Sequence, residues 1–212
     1  MRRGFIFDLD GVITDTAEFH FRAWKRLADE EGIPFTREDN EALRGVSRRE
    51  SLRRMLKGRT IPEETAQEWM ERKNRYYRRH LEDITPADTL PGARDFLQRS
   101  REAGVKVGLA SASRNARTVV ERLEIGHLLD ALGDGHSVVN TKPAPDLFVW
   151  VAGALHLPVD RCVVFEDAEA GVEAALAGGM KCVGIGPEER VGRAHLVCSG
   201  LHEISVEQVL AL

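Results

Sequence analysis

Four short apolar runs constrain this chain more than any other feature. They lie at residues 4–8 (Gly-Phe-Ile-Phe-Asp), 105–110, 162–166 and 181–185, each bounded by turn-forming or charged residues. The stretches between the later runs, about 92–103, 115–124, 144–155 and 168–178, carry helical patterning. Short apolar strands alternating with helices build βαβ units, and such units stack into a parallel sheet buried on both faces. The fold class expected is therefore α/β, a doubly wound, Rossmann-like parallel sheet. Residues 195–198 form a shorter and weaker last strand candidate.

One stretch breaks the alternation. Phe21, Trp24, Leu27 and Ala28 recur at helical spacing, and Gly32 ends that helix. A second helix is expected after Ser47 and a third over about 63–82, including Trp69, Met70, Tyr76 and Leu81. No strand pattern interrupts this stretch, and Thr89-Leu90-Pro91-Gly92 marks the return to the alternation. The economical reading of the 212 residues is a core formed by 1–16 and 84–212, with an all-helical cap inserted at 17–83.

Several function classes are excluded. The longest apolar run, residues 147–155, is nine residues, whereas a membrane-spanning helix needs about 20. Met1-Arg2-Arg3 leads into a run broken at Asp8, which is no secretory signal. Cys162, Cys182 and Cys198 lack metal-like spacing and read as small core hydrophobes, so a reducing, cytoplasmic address and a monomer without membrane partners are expected. The net charge of −4 divides unevenly: 17–83 holds 16 Lys+Arg against 14 Asp+Glu, the remainder 14 against 20. An acid-rich core beside a mildly basic insertion suits a cation site facing an anion-holding lid. It does not suit a nucleic-acid partner, which needs a strongly basic face.

In open α/β sheets, ligands bind beyond the carboxyl ends of the strands. Four polar clusters fall there: Asp8-Leu9-Asp10-Gly11, Ser111-Ala112-Ser113-Arg114-Asn115, Lys142-Pro143 and Glu166-Asp167. Taken singly, each has a plainer reading as a turn, a helix cap, a surface lysine or a helix-start charge pair. Together they suit phosphoryl transfer. Asp8, Asp10, Glu166 and Asp167 repel one another and call for a cation, and an all-oxygen donor set suits Mg²⁺. Such an ion, with Lys142, would let an anionic Asp8 attack a phosphoryl group and carry it as an aspartyl-phosphate. Asp10, two residues on, can exchange a proton with the attacking or leaving oxygen.

Asp8 to Thr16, Ser111, Lys142-Pro143 and Glu166-Asp167 resemble the four motifs of the haloacid dehalogenase-like superfamily. The resemblance extends to the β-phosphoglucomutases within it. It is carried by Thr16, His20, residues 21–25, Gly45-Val46-Ser47-Arg48, Ser51-Leu52, Arg72-Lys73-Asn74, residues 109–113 and residues 141–146. It implies that Asp8 is the phosphorylated nucleophile, and that Asp10 is the acid/base and lends its backbone carbonyl to Mg²⁺. Asp8, Glu166 and Asp167 would supply the other protein ligands. Ser111, Ala112 and Lys142 would hold the transferring phosphoryl group, while Arg48, Ser113, Arg114 and Asn115 hold a second phosphate. Thr16, His20, Trp24, Arg44, Gly45, Val46, Ser47, Ser51 and Lys73 would line a sugar pocket or steer Asp10. The implied reaction interconverts β-D-glucose 1-phosphate and glucose 6-phosphate, with glucose 1,6-bisphosphate as activating phosphoryl donor. A sugar-phosphate phosphatase is the alternative.

The insertion bears on that choice, because a mutase passing through a bisphosphate needs two phosphate sites and a phosphatase needs one. Arg48, at an expected helix start, and Arg114, from the core, could clamp the second phosphate. Alternatively, 44–59, with seven basic residues and one Glu50, is a solvated basic face. Trp24 on its apolar stripe fits core packing as well as sugar contact. Positions 44 and 114 hold Arg where the resembling family commonly has Lys, which changes reach and geometry.

Overall fold

The computed structural model describes residues 3–212. β1 (Gly4–Phe7) is followed by four helices: α1 (Ala17–Glu30), α2 (Arg37–Glu41), α3 (Arg48–Met55) and α4 (Glu63–Leu81). Then come α5 (Ala93–Glu102), β2 (Lys106–Ala110), α6 (Ala116–Arg122), β3 (Ala131–Gly133), α7 (Asp146–Ala154) and β4 (Cys162–Glu166). α8 (Glu169–Ala177), β5 (Lys181–Ile185), α9 (Glu188–Val191), β6 (Leu196–Cys198) and α10 (Val206–Leu210) complete the chain.

The six strands form one sheet in the order β3-β2-β1-β4-β5-β6, and every pairing is parallel. β1 lies centrally between β2 and β4. The chain winds outward from β1 to β3, then crosses back to start β4 on the other side, so the carboxyl ends of β1 and β4 flank a topological switch point. The two-residue period of the strands divides the core. Phe5, Phe7, Val107, Leu109, Val163 and Phe165 pack on one face, while Ile6, Val164, Cys162 and Cys182 pack on the other. The first face holds an aromatic cluster in which Phe7 stacks on Phe165 at 4.4 Å and Phe96 of α5 meets Phe165 edge-on at 5.4 Å.

Helices α1–α4 carry a separate apolar cluster of Trp24, Leu27, Phe35, Leu52, Met55 and Trp69. The two chain crossings that join them to the sheet are tied together. Thr14 bridges Thr89, its hydroxyl donates to Asp88 O at 2.7 Å, and the Leu90 amide donates to Ile13 O at 2.8 Å. Along α4 the buried stripe is Ala66, Trp69, Lys73, Tyr77 and Leu81. The helix includes Trp69, Met70, Tyr76 and Leu81 as expected, and the half-buried Tyr76 packs on the core cluster while its hydroxyl donates to Glu30. Residues 195–198 do supply a strand, paired to β5, and the three-residue β3 is an addition that no apolar run marks.

Phe96 sits on α5, away from the strand ends, and is 3% exposed. Phe96→Ala opens the aromatic cluster and should lower stability by about 3–5 kcal/mol. Urea unfolding should show this as a lower midpoint with an unchanged slope.

Candidate active site

The floor of the site forms where β1 and β4 end. Asp8 follows β1, and its amide donates to Phe165 O at 2.9 Å, which locks the two strand ends together. Glu166 closes β4 and is fully buried, and Asp167 follows it at 3% exposure. Carboxylate oxygens of Asp8, Glu166 and Asp167 lie within 4.8 Å of one another. Two glycines make this approach possible. Gly11 holds a left-handed φ of +82°, and any Cβ there would overlap the Asp167 carboxylate. A Cβ at Gly171 would overlap the Glu166 carboxylate.

Lys142 enters from the loop before α7 with its side chain fully buried. Its ammonium donates to Asp8 Oδ1 and, at 2.7 Å, to Glu166 Oε2. Burial disfavours its charge, but the Asp8 and Glu166 carboxylates outweigh burial and raise its pKa. Burial pushes the Glu166 carboxyl up; Lys142 opposes this, and repulsion from Asp8 and Asp167 adds to it. Asp167 is raised mainly by burial and by Asp8, against the pull of Arg44 and Arg190. Three buried carboxylates that converge on one point offer a set of hard oxygen donors that fits a divalent cation such as Mg²⁺.

Asp10 stands outside that cluster. Its carboxylate accepts from the Thr16 hydroxyl, and burial together with the Asp8 charge lifts its pKa to about 6. That places it in the range useful to a general acid/base near neutral pH.

Above the floor lies a cavity of about 550 Å³ between the sheet and α1–α4. The loop after β2 supplies Ser111, Ala112, Ser113, Arg114 and Asn115 to its wall. This loop is self-supporting, since Ser111 Oγ accepts from the Ser113 amide at 3.1 Å and Ser113 Oγ from the Asn115 amide at 3.2 Å. The helical side contributes His20, Trp24, Arg44, Gly45, Val46, Ser47, Arg48, Ser51 and Lys73. Of the residues singled out from the sequence, Thr16, Lys142 and Glu166 do not line the cavity: all three are buried, Thr16 behind Asp10 and the other two beneath the floor. Trp24 packs in the helical core at 1% exposure and also borders the cavity. Ser47 also caps α3, accepting from the Glu50 amide.

The helical side closes directly onto the floor. Arg44 Nη1 donates to Asp167 Oδ2 at 3.2 Å. Gly45 has a φ of +70°, and a Cβ there would come within 2.9 Å of the Ala168 methyl. Further along, Asn74 Oδ1 accepts from both Arg48 (2.8 Å) and Asn115 (2.9 Å). Lys73 Nζ and His20 Nδ1 are hydrogen-bonded at 2.8 Å, and burial with the charges of Lys73 and Arg48 holds the His20 pKa well below the ordinary value. Burial and Arg48 depress Lys73 too, against the pull of Asp10.

Three contributors were not found from the sequence: Asn74 as the bridge, Tyr77 behind Thr16, and Arg190, whose Nε donates to Asp167 O at 2.6 Å. Only Asn74 left a signal, as part of the Arg72-Lys73-Asn74 segment.

Gly171→Ala should displace Glu166 and weaken Mg²⁺ binding about 10–100-fold, the usual cost of disturbing a ligand's support. Calorimetric titration with Mg²⁺ checks this. The control is Gly153→Ala, in α7 with no atom near its Cβ, which should leave binding unchanged and add up to about 1 kcal/mol of stability.

A family model for haloacid dehalogenase-like hydrolases matches residues 3–179. The β-phosphoglucomutase of Bacillus subtilis (strain 168) is 43% identical over 206 residues, covering 95% of this chain and 91% of that protein. A phosphorylated carbohydrates phosphatase of Thermotoga maritima is 29% identical over 208 residues, covering 97% and 95% respectively. The crystal structure of a β-phosphoglucomutase from Clostridium difficile matches with a TM-score of 0.95 at 38% identity, covering 100% of this chain and 96% of that one. With the family model matched over most of its length and 43% identity to a curated relative, this chain belongs to the haloacid dehalogenase-like hydrolase family.

Proposed function

We propose that the chain is a Mg²⁺-dependent β-phosphoglucomutase, interconverting β-D-glucose 1-phosphate and glucose 6-phosphate, and that residues 17–83 act as its cap. The observation that carries this over a phosphatase is the far end of the cavity. Arg49, Arg53 and Arg54 spend their charge on Glu63 and Glu50 at the outer surface. Arg48, one residue from Arg49, turns inward, where burial and the nearby Arg114 guanidinium lower its pKa to about 10. Among the described residues neither Arg48 nor Arg114 pairs with a carboxylate, and both line the same cavity as Asp8. Two uncompensated guanidiniums beside Ser113 and Asn115 make a second anion site, which a reaction through a bisphosphate requires and simple hydrolysis does not.

Asp8 would carry the phosphoryl group, primed by glucose 1,6-bisphosphate. In the first half-reaction the sugar C6 hydroxyl attacks phospho-Asp8 while Asp10 accepts its proton. The bisphosphate then reverses in the cavity, with Arg48, Ser113, Arg114 and Asn115 holding whichever phosphate is not reacting. Asp8 attacks the C1 phosphate, and Asp10 returns the proton to the leaving oxygen, which regenerates phospho-Asp8. Ser111, the Ala112 amide and Lys142 neutralise and orient the group in transit. Mg²⁺, when held by Asp8, Glu166, Asp167 and the Asp10 carbonyl, supplies further charge stabilisation at the transferring oxygens. His20, Trp24, Arg44, Gly45, Val46, Ser47, Ser51 and Lys73 surround the sugar.

Purified protein given Mg²⁺, β-glucose 1-phosphate and a trace of glucose 1,6-bisphosphate should produce glucose 6-phosphate, read by coupled NADP reduction, with little free phosphate. Chelation by EDTA should stop the reaction and added Mg²⁺ restore it. Asp8→Asn should abolish it. Arg48→Ala should cut kcat/KM about 10–100-fold, the worth of a hydrogen bond to a charged group. Phosphate release without isomerisation would instead identify a sugar-phosphate phosphatase.

A further inference from the structure

Two of the three floor carboxylates, Glu166 and Asp167, are consecutive, and only Asp167 and Ala168 separate the end of β4 from the start of α8. The peptide that joins Asp167 to Ala168 is held at both edges. Its N–H, on Ala168, donates to Glu166 Oε1 at 3.0 Å. Its carbonyl, on Asp167, accepts from Arg190 Nε at 2.6 Å. A peptide is planar, so holding its N–H and its C=O fixes the tilt of the whole unit. That tilt decides where Glu166 Oε1 finds its donor and in which direction the Asp167 side chain leaves the backbone.

Arg190 comes from a distant part of the chain. It lies on α9, the short helix after β5, which the fully buried Val191 anchors. The turn that precedes α9 is shaped to receive the guanidinium. Gly186 has a φ of +125°, its amide donates to Cys198 O of β6 at 2.8 Å, and any Cβ there would come within 2.6 Å of Arg190 Nη2. That Nη2 lies 3.9 Å from Asp167 Oδ2. A guanidinium placed only to neutralise charge would face the carboxylate with its fork. Here the short contact is with the uncharged carbonyl, and the carboxylate is the distant partner.

We propose that Arg190 is a positioning residue for the proposed metal site: by holding the Asp167–Ala168 peptide, it aims the Glu166 and Asp167 carboxylates at a common point. The proposal rests on the reading of these carboxylates as Mg²⁺ ligands. It gives a task to the connection between β5 and β6, whose residues do not line the cavity. It also predicts an effect opposite in sign to that of charge alone. A positive group beside Asp167 repels an incoming cation, so removing a mere charge would tighten Mg²⁺ binding. Removing a positioning group weakens it.

The test is calorimetric titration of Mg²⁺ into the full-length protein and three variants, each first checked for folding by thermal unfolding without the ion. Arg190→Met keeps an unbranched stem without the donor and should weaken Mg²⁺ binding about 10–100-fold, the usual cost of removing a ligand's support. Arg190→Lys keeps the charge but puts a methylene where Nε stands, so it should show a similar loss. Arg193→Met removes an equal charge from an exposed position in the same connection. Solvent screens that charge, so affinity should stay within about twofold of wild type. Unchanged or tighter binding in Arg190→Met, or wild-type affinity in Arg190→Lys, would overturn the proposal. So would an equal loss in Arg193→Met, which would trace the effect to net charge. If Arg190→Met does not fold, the lysine variant carries the test; if neither folds, the contact is structural and the proposal falls. A wild-type protein that binds no Mg²⁺ would bring down the metal reading and this proposal with it. Binding to the wild type with no loss in the Arg190 variants would bring down the proposal alone.

Discussion

The burial of three carboxylates at the meeting point of β1 and β4 governs the rest of this structure. Like charges within 4.8 Å of one another repel by ~3 kcal/mol per pair even at an effective dielectric near 20. Removing them from water adds to that cost. The fold meets it with cations brought from outside the two strands: Lys142 from the loop before α7, Arg44 from the helical side and Arg190 from α9. The strand order serves the same end, because only neighbours at a switch point can bring Asp8 and Glu166 this close. Gly11 and Gly171 then surrender their side chains so that Asp167 and Glu166 can face inward.

The helical insertion inherits this constraint. Its closed position depends on a guanidinium reaching Asp167 and a left-handed glycine passing Ala168. The same insertion builds the opposite end of the cavity with Arg48, held by Asn74, which also receives Asn115 from the core. Both ends of the cavity therefore join insertion to sheet through polar contacts, while Ala23 of α1 and Tyr77 and Leu81 of α4 pack into the apolar cluster on one face of the sheet.

How much of this is legible in the sequence follows from the range of each interaction. The sheet is legible because buried parallel strands are short apolar runs, and the four polar clusters are legible because they sit where those runs end. The weaker signals fail for identifiable reasons. β3 holds only Ala131-Leu132-Gly133, with no β-branched residue, and becomes a strand through its pairing with β2. Tyr77 is masked by Tyr76: a buried Lys73 interrupts the apolar stripe of α4, so the helical phase cannot be read through it. Asn74 and Arg190 act only across the fold, Arg190 from 23 residues beyond the Asp167 it supports. No local pattern marks Arg190, and Asn74 shows only as part of the Arg72-Lys73-Asn74 segment.

The arginine at position 44 shows how one departure from the common pattern alters the physics. A lysine there would offer a single ammonium on a flexible stem. The guanidinium instead spans two acids at once: Nε and Nη2 engage Glu41 at 2.7 and 3.4 Å, while Nη1 reaches Asp167. Glu41 lies on the insertion and Asp167 on the floor, so the fork is aimed by its own helical segment before it meets the sheet. Part of the side-chain entropy of ordering it is already lost to Glu41 within the insertion. Reaching Asp167 then costs less further ordering than it would with a lysine, and the ion pair falls on a carboxylate of the proposed metal site. The insertion and the electrostatics of that site are thereby joined through one planar group.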